Sequence, residues 1–171
     1  MYLQKTQGIA LPVNVANKAD SVLLMESVWR HVTPGMGGVH KLEQLYNGVL
    51  SYAKEYGFDV DHFALPVPKK EIQRPALSSV IQFIAEGLRN DCPIAFLNLS
   101  NGKVENLDEW HWVTIVSLNV SENLDVVEAT IYDGTKPMTI NLKLWYETTR
   151  LGGGFIYFVK QEKNRLADTA V

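Results

Sequence analysis

The hydrophobic period changes halfway along the chain, and that change limits the folds open to it. Up to about residue 90 apolar side chains recur every three to four residues; beyond it they recur every second residue. Val22, Met25, Val28 and Trp29 share one face of a helix expected over 20–30, with Asp20 or Ser21 as its cap. Leu42, Leu45, Val49, Tyr52 and Ala53 mark a second over 39–56, and Gly57 suits the left-handed position after it. Val80, Phe83, Ile84 and Leu88 mark a third over 76–89. One or two helical turns are read at 2–6, and 58–67 reads as extended, closed by Pro66 and Pro68.

The second half reads as strands over 94–99, 110–120, 125–133, 138–140 and 155–159. A polar loop covers 100–108, a short helix covers 142–149, and Gly152-Gly153-Gly154 reads as a flexible joint. Helices followed by strands give an α+β class, with the N-terminal helices packed on one side of a C-terminal antiparallel sheet or half-barrel. The expected organisation is one domain over 1–160, helical over 1–90 and sheet over 91–160, with a frayed polar tail over 161–171.

A chain of 171 residues can bury a real core. The net charge of −3, with acids and bases interspersed, argues against a nucleic-acid protein driven by phosphate contacts. No apolar run approaches the roughly 18 residues of a membrane span. A single cysteine, Cys92, excludes an internal disulfide and a multi-cysteine zinc site. His31, His40 and His62 show no ligand spacing, so no metal and no cofactor are expected. The start of the chain is too polar for a signal peptide, and the sequence leaves the compartment open.

The chemistry-bearing pair is His111 and Asp133. Taken as a hairpin about 121–124, the strands 110–120 and 125–133 place His111 with Val113, Ile115 and Ser117, and Asp133 with Ile131, Ala129 and Val127. A register centred on Glu122 pairs Val113 with Ile131, Ile115 with Ala129, and His111 with Asp133. The carboxylate would then accept Nδ1–H of the imidazole and leave Nε2 to act as a general base. The same pair could equally be a core-edge histidine satisfied by an acid.

A nucleophile is harder to find. Cys92 is expected near Val116, on the order of 17 Å along the strand from His111. It follows a helix C-terminus, which does not favour a thiolate, so it reads as structural. Ser78 and Ser79 lie within a helix, outside any Gly-x-Ser-x-Gly elbow.

Residues 76–159 resemble the papain-like cysteine peptidases that cleave double-glycine bacteriocin leaders, and their relatives. The resemblance rests on Asn90-Asp-Cys-Pro-Ile after a helix, His111-Trp-Val-Thr-Ile at the head of a strand, and Ile131-Tyr-Asp-Gly at the end of the next. Leu144-Trp-Tyr and Gly154-Phe-Ile-Tyr-Phe stand where that family has its closing helix and aromatic strand. It implies a papain-like fold, a peptide or protein substrate, His111 as general base and Asp133 as its orienter. The family's nucleophile lies in an N-terminal Cys-Gly motif opening a long helix, and neither that motif nor its preceding glutamine occurs here. Met1-Tyr-Leu-Gln-Lys-Thr-Gln-Gly looks like the end of that helix, so the chain as given is expected to be inactive, by truncation or by loss. Three readings follow: a peptidase-related protein without its nucleophile, a non-catalytic peptide-binding module on the same fold, or an unrelated α+β protein with a chance His–Asp pair. Under the first, the apolar faces left by the missing helix would be covered by a homodimer or by residues 1–15.

Overall fold

A computed structural model describes residues 18–161. The expected turns at 2–6 and the tail beyond Gln161 lie outside the described residues. Helix α1 (Lys18–Trp29) and helix α2 (Leu42–Glu55) precede strand β1 (Val60–Val67). Helix α3 (Leu77–Arg89) follows, then strands β2 (Ile94–Asn98), β3 (His111–Val120), β4 (Val127–Asp133) and β5 (Lys136–Asn141). Helix α4 (Leu142–Thr148) and strand β6 (Gly153–Lys160) complete the order. The class is α+β, built on one open six-stranded sheet in the order β1-β6-β2-β3-β4-β5 with every pairing antiparallel. Among the described residues no helix is long and apolar enough to cross a membrane.

Helices pack on both faces of the sheet, which corrects the one-sided arrangement. Strands put alternate residues on opposite faces, and here both sets are apolar. Ile94 and Phe96 of β2, with Val113, Ile115, Ile131 and Phe155, meet Val80 and Ile84 of α3 and Trp145 of α4. Leu97 and Ile156, with Trp112 and Phe158, meet Leu42, Leu45 and Tyr46 of α2 on the other side. The extended segment ending at Pro66 is a full strand, β1, paired to β6 along its length, so the sheet draws on the N-terminal half as well.

Two expectations about local order are overturned. The three glycines at 152–154 are not a joint: Gly153 and Gly154 lie within β6, between β1 and β2, where the neighbouring backbones come too close for side chains. Asp20 lies within helix α1 rather than at a cap, and the helix buries none of its side chains. Its apolar residues Met25 and Trp29 are 69% and 60% exposed.

Cys92 is fully buried in the main core, and its thiol donates to the Asn90 carbonyl oxygen at 3.2 Å. Nearby, the phenol of Tyr157 is pushed above its ordinary value of 10.0 by burial first, then by Glu86 and by Cys92. Below that value the phenol is neutral in both the folded and the unfolded chain. As pH rises through 10.0 the unfolded chain loses its proton first, so stability falls towards the raised folded value. Thermal unfolding from pH 8 to 11 should show this alkaline loss, and Tyr157→Phe should flatten it.

Candidate functional site

Strand β3 begins at His111 immediately after Trp110, whose φ of 53° is left-handed. Such a conformation is uncommon outside glycine and here turns the chain out of the 99–110 loop into the strand. Asn98 lies directly opposite His111 in the β2–β3 ladder and is fully buried. Its amide donates to the Asp108 carbonyl oxygen, tying down the loop two residues before the turn, and its oxygen accepts from Trp145 Nε1 at 2.8 Å.

His111 and Asp133 are brought together: Nε2 lies 2.9 Å from Oδ1, with both side chains partly exposed. The route differs from the expected one. The β3–β4 ladder pairs Val120 with Val127 and Ser117 with Thr130, then shifts at a bulge so that Ile115 pairs with Ile131 and Thr114 with Tyr132. One step further sets Asp133 beside Val113, so His111 is its diagonal neighbour rather than its direct partner. A diagonal gap is wider, within reach of a long or ring side chain. The far nitrogen, Nε2, therefore makes the bond, and Nδ1 is the nitrogen left over. A carboxylate only accepts, so in the neutral ring the proton sits on Nε2 and the lone pair on Nδ1.

The bulge also turns Ser117 away from the His111 face. Leaving out Val116 lets Leu118 and Val120 continue the core-facing row, while Ser117 pairs outward with Thr130. Among the described residues no serine is hydrogen-bonded to His111 or Asp133. Cys92 precedes β2 by two residues, and Ile94 is opposite Ile115, which puts the thiol at the far end of β3 from His111.

A cleft of about 190 Å³ opens at His111. One wall is Trp110, His111 and Trp112 with Leu97 and Leu99; the other is Gly37, Gly38, Val39 and His40, which lead into α2. Trp112 Nε1 donates to the Val39 carbonyl oxygen at 2.6 Å and so holds the two walls together. Trp110 is 57% exposed, and its ring centre lies 6.5 Å from that of His40. His40 was not singled out as a cleft residue by sequence; the glycine-rich run before it gives only a turn, and its meeting with Trp110 is long-range. The other histidines lie elsewhere. His31 sits against α2, 3.1 Å from Ser51 Oγ and 3.2 Å from Glu55 Oε2, and His62 stacks on Tyr46. Among the described residues no cluster of three or more His, Cys, Asp or Glu side chains could hold a metal ion.

Comparison with known proteins gives no match among protein-family models, curated proteins or solved structures.

Proposed function

We propose that this chain is a papain-like, cysteine peptidase-related domain whose cleft holds a peptide, with His111 as general base and Asp133 as its orienter. The observation that carries the reading is the 2.9 Å contact between Asp133 and His111, a residue that also borders a cleft, with one imidazole nitrogen left over. The order of elements supports it: a helix, a short strand, histidine heading the next strand, aspartate ending the one after, then a short helix and an aromatic strand. The one thiol in the sequence, Cys92, is buried in the core, so the chain as given binds peptide without thiol-dependent cleavage. The exposed Trp110, beside a base with no nucleophile bonded to it among the described residues, favours the binding-module form of the same reading.

An imidazole fixed by a carboxylate attacks activated esters through its remaining nitrogen. With 4-nitrophenyl acetate, the lone pair adds to the acetyl carbonyl, nitrophenolate leaves, and water hydrolyses the acetyl-imidazole. Release of nitrophenolate should fall about tenfold or more in His111→Gln and by a smaller factor in Asp133→Asn. Quenched fluorescent peptides should remain uncut. Ester turnover indifferent to His111→Gln would sink the assignment, as would peptide hydrolysis abolished by Cys92→Ser.

A further inference from the structure

Strand β1 is one edge of the sheet, and two bonds show which of its residues face outward. Gln161 N–H donates to the Asp59 carbonyl oxygen, and on the other side of β6 Leu99 N–H donates to that of Gly152. Bonding along an antiparallel ladder alternates, so odd-numbered residues of β6 bond to β1 and even-numbered ones to β2. Asp61, Phe63 and Leu65 therefore bond to β6, while Val60, His62, Ala64 and Pro66 turn their backbone groups away from it. Among the described residues none of these outward N–H and C=O groups has a partner. The opposite edge is blocked: β5 carries Pro137, and its Thr139 carbonyl oxygen accepts from the Asn106 amide at 2.9 Å. Strand β1 instead runs eight residues without a lysine or a bulge, with its proline next to last. Phe63 and Ala64, at its middle, are exposed.

We infer that β1 pairs antiparallel with β1 of a second copy of this chain, joining two sheets edge to edge across a two-fold axis. The axis passes Phe63, so that His62 and Ala64 exchange both bonds with Ala64 and His62 of the second copy. Val60 N–H then donates to the Pro66 carbonyl oxygen, a place where the missing proline donor costs one bond only. The two Phe63 rings meet as a directly opposed aromatic pair, the closer kind of cross-strand neighbour. Charge selects this occupant and this direction. Asp59 and Asp61 lie at the start of the strand and Lys69 and Lys70 follow its end, all four exposed. Antiparallel pairing of two copies lays each acidic start along the other's basic end and sets Asp61 opposite Leu65. Moving the axis to Asp61 would oppose two carboxylates directly, which destabilises a strand pair.

Sedimentation velocity of the full chain over about a hundredfold range of concentration should show a monomer–dimer equilibrium. Ala64→Pro removes an outward donor and leaves the β1–β6 ladder whole, because an edge strand tolerates proline where its N–H faces away from the sheet. It should weaken the dimer at least about tenfold while circular dichroism stays unchanged. Amide hydrogen exchange of the wild type reads the same contact without a variant. The His62 and Ala64 amides should exchange more slowly as concentration rises, whereas those of Phe63 and Leu65 should be protected throughout. A chain that stays monomeric over the whole range overturns the inference. So does a dimer in which His62 and Ala64 exchange as fast as in the monomer, since that dimer forms elsewhere. If Ala64→Pro misfolds, the exchange of these two amides decides.

Discussion

Gly153→Ala should leave the chain unfolded or nearly so. A Cβ at this position would lie 1.9 Å from the Leu97 carbonyl oxygen, and the φ of 153° is one that side-chain-bearing residues rarely adopt. The clash is with backbone in the middle of a sheet, since Gly153 is paired to Val67 on one side and Asn98 on the other. Neither strand can move without breaking its own ladder. Backbone strain and overpacking together should cost more than about 3 kcal/mol. Against a total of about 5–15 kcal/mol for a domain, that removes much or all of the stability. Urea unfolding followed by circular dichroism gives the answer, with Gly134→Ala as the control. Gly134 also has a positive φ, 61°, but an added Cβ there meets nothing within 4 Å. Its cost should stay near the 1–2 kcal/mol of left-handed backbone alone, that is, about 1.5 kcal/mol. Equal losses at the two positions would refute the close-approach explanation.

Trp145→Ala should be the most damaging of the core truncations. The indole is fully buried, edge-on to Phe96 at 4.7 Å and to Phe155 at 5.8 Å between ring centres. Removing such a side chain costs about 3–5 kcal/mol in lost burial and cavity. This ring has a second role. Its Nε1 donates to Asn98 Oδ1 and to the Ser100 carbonyl oxygen, at the start of the loop that ends in Trp110. Trp145→Phe isolates that role, because it keeps most of the apolar contact and removes the donor. Ser100 still has the Thr149 hydroxyl, whereas the Asn98 oxygen loses its buried donor. A loss of about 1–3 kcal/mol is expected for a buried acceptor left alone. Differential scanning calorimetry of the two variants separates ring burial from loop anchoring; a Phe variant as stable as the wild type would remove the anchoring role.

The periodicities carried much of this fold. Helices α2 and α3, the five later strands and the shared face of His111 and Asp133 are all written in local pattern. The bulge at Val116 is not. Nothing in Ile115-Val116-Ser117 marks which residue the ladder will skip, and that one skip moves the histidine from facing its aspartate to sitting diagonally from it. It also changes which ring nitrogen is left over. The glycines at 152–154 carry the composition of a linker; only the approach of β1 and β2 reveals them as packing residues. Helix α1 has an apolar stripe that pattern assigns to a core, yet Met25 and Trp29 are exposed. The cleft itself was legible only in half. Trp110 and His111 are neighbours in sequence, whereas the opposite wall at 37–40 arrives through the tertiary bond from Trp112 to Val39.

The strand order has a consequence for how the protein is made. Strands β2 to β5 follow one another as a meander and can pair as soon as they leave the ribosome. Strand β6, the last synthesised, lies between β1 and β2, so β1 waits for a partner about a hundred residues downstream. Until residue 160 has emerged, the nascent chain exposes the edge of β2 and the whole of β1. Ribosome-held intermediates ending before Gly153 should therefore be the ones that chaperones bind and proteases cut.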